Sequence, residues 1–459
     1  MEFITLSFAV LFVFIWMFCW RAITPVRYDT GLYHIQLINW LSNYPIIIGL
    51  GNFHERFAFP QSYFFYLTYL ENAYRVIGGF YIASYLLIAN ILFEWLLGIR
   101  NIVLKASFLP VNFFRALLIF PITLFHCYDS WIITASPDTA IFLLELIMTV
   151  WFIDLLGTPS HEIKFSKSLE SFSFIIVCLV GLTFKASFIV FGIAMLIITC
   201  LNKSLRFNWL SLFCLFLFIF LPFFLRNILI SGYLFFPLAH PSFPVDWRIP
   251  DSIRYSNLDC VSNFAKDFSC QTMALFDFSW VKTWLKFNLR YCSSFLLCPP
   301  AIILIGLVFG AKRILNKTTA LFIFPATASL LITFLFAPDS RFFASSPWII
   351  GLTLFSITLA EYASFLNSSR LRWYILLTVV LYVFMTTRSA LSIAHVELRL
   401  PSGKQYKQIK LGLDTNILQI VAGDQCWATS LPCTPGTLEG LEFRDGKHVE
   451  SGFVRRTLK

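Results

Sequence analysis

Charge is what this sequence has least of. Only 13% of its 459 residues are Asp, Glu, Lys or Arg, against about a quarter in a soluble domain. Hydrophobic residues make up 58%, with 53 Phe among them. That shortage excludes a soluble globular protein and leaves a polytopic membrane protein. The formal net charge of +10 invites a nucleic-acid reading, but the basic residues sit in short loops between apolar runs, where they act as topology signals. No nucleic-acid partner is expected. Other absences are as informative. Met1-Glu2 supplies no positive n-region and Phe18-Cys19-Trp20-Arg21 no small-residue cleavage site, so the first apolar segment is expected to remain as a helix. No repeat of fixed period and no low-complexity linker interrupts the chain. His34 and His54 lack the spacing of metal ligands, and no metal site is expected.

What is present is apolar and periodic. The runs predict an all-α membrane domain over residues 1–390 with about 11 transmembrane helices, each of roughly twenty residues. They lie near 3–20, 76–97, 111–128, 138–156, 171–184, 186–201, 209–226, 294–311, 318–337, 346–365 and 373–390. Basic residues recur in alternate loops, at Arg100 and Lys105, Lys164 and Lys167, Lys203 and Arg206, Lys312, Arg313 and Lys317, then Arg370 and Arg372. The positive-inside rule makes these loops and the N-terminus cytoplasmic. Loops near 21–75 and 227–290 and the tail then fall outside. Residues 391–459, where Gly, Asp, Lys, Thr and Pro replace the apolar background, are expected to form a small external domain packed on the long loop.

The stretch from Arg27 to Phe59 concentrates polar side chains behind the first span. Asp29 opens it, and Leu32, Ile35, Ile38 and Leu41 recur every third residue, which suits a helix lying in the interface. His34, Gln36 and Asn39 fall off that stripe and are expected to face water or substrate. Gly49 and Gly51 permit a tight turn, after which Asn52, His54, Glu55 and Arg56 crowd together. Asp29 also has a purely structural alternative, as cap of the helix that follows.

Charges near the spans are the next candidates, because an ionised group in the bilayer persists mainly where it is paired or functional. Asp138 opens the fourth span, with helix capping as its alternative role. Lys185 interrupts an apolar run, either snorkelling or meeting a phosphate. Arg226 ends the seventh span. Asp246, Trp247 and Arg248 suit a sugar or headgroup, although an interfacial Trp is also an anchor. Asp339 and Arg341 share a short turn, where they either pair with each other or meet substrate. Cys426 and Cys433 in the tail, and Cys260 and Cys270 in the long loop, are close-spaced on the oxidising side and are expected to form two disulfides, with free thiols as the alternative.

Architecture and motifs together carry a resemblance. An acidic residue opening the first external loop, a second acid at the third-to-fourth connection, many further spans and an external tail resemble the GT-C class of integral-membrane glycosyltransferases. The blocks YDTGLYHIQLINW, GLGNFHERFAF, SPDTA, FKAS, RNILISGYLFFP, VDWRIP, APDSRF and CWATSLPCTP resemble an uncharacterised family of bacterial multi-pass membrane proteins. The GT-C likeness implies an inverting transfer of a sugar from a polyprenyl-phosphate donor to a glycan, lipid or protein acceptor, at the external face of the inner membrane. It implies Asp29 as general base, Asp138 as the second acid, and Lys185, Arg226 or Arg341 on the phosphate leaving group. Glu55, beside His54 and Arg56, stands near the first loop's acid, and no Asp-x-Asp occurs there. A divalent cation is compatible with the class, but no ligand spacing indicates one, and the cofactor is left unassigned. A surface-polysaccharide polymerase or ligase would share most of these features. A lipid-linked sugar flippase or transporter would show two related halves, which the sequence does not.

Overall fold

A computed structural model describes residues 28–73, 79–122, 134–157, 165–202, 208–267, 277–291, 293–314, 316–363, 405–411, 415–421, 423–436 and 438–456. The spans expected near 3–20 and 373–390, and Cys19, Cys127 and Cys270, lie outside these residues. The chain is mostly helical. Its helices of eight residues or more are α1 (Ile35–Asn43), α2 (Tyr63–Ala73), α3 (Gly79–Val103), α4 (Pro110–Leu117), α5 (Pro137–Gly157), α6 (Phe165–Phe184), α7 (Ile189–Leu201), α8 (Trp209–Ser231), α9 (Asp251–Asp267), α10 (Val281–Tyr291), α11 (Ser293–Ile314), α12 (Lys317–Phe336) and α13 (Ser345–Ala363).

Among the described residues, five helical segments are long and apolar enough to cross a membrane: Ile82–Val103, Pro137–Gly157, Trp209–Ser231, Lys317–Phe336 and Ser340–Ala363. Shorter apolar helices accompany them at Pro110–Ile122, Leu169–Phe184, Ala186–Leu201 and Cys298–Val308. Helix α5 is predominantly apolar and buried along nearly its whole length, as a central helix must be. Around it Trp95, Phe114, Phe174, Phe191 and Trp348 close one continuous core. The outer helices turn large apolar side chains outwards instead. Phe213, Phe218, Leu221 and Leu225 of α8 and Phe324, Leu331 and Phe336 of α12 are exposed, a surface that a lipid environment stabilises and water does not.

A second core caps one end of this bundle. It joins Tyr33, Leu37, Trp40, Phe53, Phe57 and Phe64 of the first loop to Tyr233 and Ile249 of the long loop, and to Ile417, Phe443 and Phe453 of the tail. The tail contributes β1 (Tyr406–Leu411), β2 (Thr415–Ile420), β3 (Cys433–Thr434), β4 (Leu441–Phe443) and β5 (Phe453–Arg455). Strands β1 and β2 are antiparallel, with Tyr406 opposite Ile420. Strand β3 adds parallel to β2, and β4 pairs antiparallel with β5.

The tail docks chiefly on the first loop, whereas the sequence directs it to the long loop. The Phe453 N–H donates to the Ile48 carbonyl (2.9 Å) and the Trp427 N–H to the Gly31 carbonyl (3.0 Å). Two glycines make that approach possible. Gly49 has φ +67°, and a Cβ there would overlap the Phe453 carbonyl; a Cβ on Gly31 would overlap the Trp427 ring. Cys426 and Cys433 are joined as a disulfide, which closes the loop that carries Trp427. Contact with the long loop is lighter, through Arg444 and Asp246 (3.0 Å).

Candidate functional site

The ends of α5, α6, α12 and α13 meet beneath the first loop, and charged side chains gather there. Asp29 follows Tyr28 in a helical turn and precedes a π-helical turn, Thr30–His34, which runs into α1. Such a bulge changes which way the flanking side chains point and recurs at functional sites. The Asp29 side chain caps nothing. Its Oδ2 accepts a hydrogen bond from Arg341 Nη1 at 3.2 Å, across 312 residues of sequence.

Arg341 is held from the other side by Asp339. Nη2 lies 2.7 Å from Asp339 Oδ2, and Nε lies 3.0 Å from the same oxygen, a fork that fixes the guanidinium plane. Asp339 also accepts the Arg341 backbone N–H at 2.9 Å, so one carboxylate caps the short helix Ser340–Phe343 and orients its cation. Nearby, Lys185 pairs with Asp138, whose other oxygen accepts from Ser136 Oγ at 3.2 Å. The Phe342 ring sits between the two cations, with Lys185 Nζ 4.4 Å and Arg341 Cζ 5.7 Å from its centroid. Three carboxylates thus face two cations, with the Arg56 charge also acting on Asp29.

Burial alone would push the Asp29 carboxyl upwards, but His34, Arg341, Arg56 and Lys185 outweigh it and hold it below the usual carboxylate range. His34 is buried beneath this group, against Tyr33 and Phe64 at ring separations of 4.4 and 5.3 Å. Burial pushes its imidazole down to about 4, against the pull of Asp29 and Asp138, so it is neutral at pH 7. Its Nδ1 is itself buried and makes no hydrogen bond to protein.

Of His34, Gln36 and Asn39, expected to face water or substrate, the first two are 1% exposed and do not face water; Asn39 is half-buried. The tail covers that face. Gln36 Nε2 donates to the carbonyls of Trp427 (2.9 Å) and Thr429 (2.8 Å), Gln425 reaches the Tyr28 carbonyl (2.7 Å), and the Tyr28 hydroxyl meets Asp424.

Titration of His34 predicts a pH-dependent stability. The unfolded chain takes up this proton near 6.5 and the folded chain near 4, so between those values the unfolded state binds more protons and stability falls as pH falls. At pH 5 the loss is about 2 kcal/mol. Glu55, which burial would raise but contact with His54 holds down to about 2, loses its contribution only below its ordinary value of 4.5. The thermal midpoint of detergent-purified protein should therefore drop from pH 7 to pH 5, and His34→Phe should flatten that slope. An equal slope in both proteins would refute the assignment.

Other sequence candidates make their contacts elsewhere. Arg226 is one of the three cations offered for the phosphate, with Lys185 and Arg341, but its Nη1 binds the Phe59 carbonyl (2.9 Å) and its Nη2 that of Phe57 (3.1 Å), clamping the turn Glu55–Ala58. Asn52 Nδ2 binds the carbonyls of Trp247 (2.7 Å) and Phe453 (3.4 Å). Trp247 donates to the Ile228 carbonyl at 3.0 Å, Asp246 pairs with Arg444, and Arg248 lies 4.0 Å from Asp251. These hold the loops and tail together. His54 accepts the Arg56 backbone N–H at Nδ1 (3.4 Å) and lies 3.6 Å from Glu55. Cys260 is disulfide-bonded. Among the described residues no group of His, Cys, Asp and Glu is arranged to hold a metal.

Two charged groups escape the sequence reading. Glu145 stands two turns below Asp138 on the same face of α5, about 10 Å deeper, and binds the Ser345 hydroxyl. At the far end of α5, Arg115 bridges Glu94 (2.7 Å) and Asp154, and Trp151 Nε1 donates to Glu94 at 2.9 Å. A single carboxylate inside an apolar run, as in FLLEL, LFEWLL and WFIDLL, is the signal that would have found both.

Residues 2–348 match a domain of unknown function, DUF8201. The chain belongs to this family. No curated protein and no solved structure matches it. Asp29, Asp138, Lys185, Asp339 and Arg341 all lie inside the matched stretch of this DUF8201 protein, and the tail loop that covers Gln36 lies beyond it.

Proposed function

We propose that this protein is a GT-C-like membrane glycosyltransferase that moves a sugar from a polyprenyl-phosphate donor to a glycan, lipid or protein acceptor. The full chain then has about 11 spans, an N-terminus in the cytoplasm, and the charged cluster and tail outside the bacterial inner membrane. One observation carries the reading: two carboxylates, Asp29 and Asp138, share a half-enclosed site with the cations Arg341 and Lys185.

The reaction has a place for each. A carboxylate takes the proton of the acceptor hydroxyl, the hydroxyl oxygen attacks the anomeric carbon, and the bond from that carbon to the phosphate oxygen breaks. The phosphate departs with the electron pair and an added negative charge. Arg341 and Lys185 stand where such a charge is stabilised. Without substrate they neutralise Asp29 and Asp138. A phosphate drawn onto the two cations loosens those pairs and makes a carboxylate more basic, so donor binding itself prepares the base.

The test is release of polyprenyl phosphate by purified protein offered a panel of radiolabelled polyprenyl-phosphate sugars and a membrane-extract acceptor. Label should pass to the acceptor from at least one donor. No transfer from any of them, with consumption of a polyprenyl-diphosphate glycan instead, would replace this reading with the polymerase.

A further inference from the structure

Helix α10, VKTWLKFNLRY, has three faces of different chemistry. Trp284 and Asn288 are buried, 7% and 4% exposed. Beside them Leu285 and Leu289 stand out at 46% and 39%. Next round the helix come Lys282, Lys286 and Arg290, spaced by four residues and exposed, so that they form one basic stripe. No acidic residue lies on the helix.

The buried face fixes where this helix sits. Trp284 Nε1 donates to the Pro338 carbonyl, one residue before Asp339, and its ring packs 5.5 Å from Phe334 at the end of α12. Trp280 packs 5.4 Å from the same Phe334. After Tyr291 and one further residue the chain enters α11, whose Leu304, Leu307 and Val308 are exposed as lipid-facing residues are. Helix α10 therefore lies at the level where apolar helices end, at the charged end of the bundle. An exposed leucine edge beside a basic stripe is costly in water. It is matched by the boundary between acyl chains and headgroups, where apolar side chains insert and lysines reach phosphates.

We propose that α10 is a headgroup-binding helix. Leu285 and Leu289 enter the upper acyl layer, and Lys282, Lys286 and Arg290 bind the phosphates of anionic phospholipid in that leaflet. The claim does not depend on the glycosyltransferase reading, but it links lipid to that site, since the helix that meets the headgroups also holds the carbonyl preceding Asp339.

Hydrogen exchange of the peptide spanning 278–291 tests this in nanodiscs of phosphatidylcholine, with and without phosphatidylglycerol. Each basic residue at an anionic surface favours association about fivefold. The stripe should thus slow exchange about tenfold or more when phosphatidylglycerol is present, with no change in peptides from α5. Raised salt should remove most of the effect in the wild-type protein, and Lys282→Gln with Lys286→Gln should remove it at low salt. The salt arm decides the matter even if the double variant fails to fold. Equal exchange in the two nanodiscs would overturn the proposal. So would slowing by added polyprenyl phosphate but not by phosphatidylglycerol, which would assign the stripe to a lipid-linked substrate.

Discussion

Asp29→Asn should lower sugar transfer by about a hundredfold or more, the usual scale for loss of a general base, while leaving the fold intact. The substitution preserves what a structural role would need. Asn keeps the size of Asp and an oxygen that can accept from Arg341 Nη1, and Arg341 keeps its fork on Asp339. Helix capping offers no competing account, because the Asp29 side chain caps no backbone N–H. What disappears is the negative charge and the proton acceptor. Rates should be compared at matched protein concentration and matched thermal midpoint, with single-turnover transfer as the readout. An Asn variant as fast as wild type would remove Asp29 from the chemistry and move the base to Asp138. In that case Asp138→Asn should be the inactive variant, at the cost of leaving Lys185 without its carboxylate.

The parts of this site were legible in the sequence to different degrees. Asp29, Asp138, Lys185 and Arg341 stand out because charge beside an apolar span is expensive and rare. Which of them meet does not stand out. Asp29 and Arg341 are 312 residues apart, and helix periodicity shows which face is apolar without showing which helix lies against it. The same limit explains His34 and Gln36. A polar side chain satisfied by backbone carbonyls of a distant tail, as Gln36 is by Trp427 and Thr429, has the same pattern as one facing water. Arg226 misleads for a related reason: a cation at a helix end suits a phosphate and a pair of carbonyls equally well, and here the carbonyls of Phe57 and Phe59 hold it. The long apolar helices are the readiest part to read, since composition and length suffice for them.

Arg341→Ala should reduce transfer by about 10² to 10³, the scale seen when one preorganised donor to a developing anion is removed, and it should also displace the pH profile. The second effect distinguishes a role in the chemistry from a role in packing. Burial, the largest influence on Asp29, opposes its ionisation, and Arg341 is among the cations that overcome it. Without Arg341 the Asp29 pKa rises, the base becomes protonated at higher pH, and the acid limb of kcat/KM moves upwards. A residue that merely fastened Ser340–Phe343 to the first loop would lower the amount of active protein at every pH and leave that limb in place. Arg341→Lys supplies the control. A lysine keeps the charge, so the limb should stay near its wild-type position, but a single ammonium cannot hold Asp339 by a fork and reach Asp29 at once. Its transfer rate should fall between the other two. Measured across pH, an Arg341→Ala profile that is lower yet unshifted, with Arg341→Lys equally low, would mean that Arg341 acts as a structural clamp, and the cation on the leaving phosphate would then have to be Lys185.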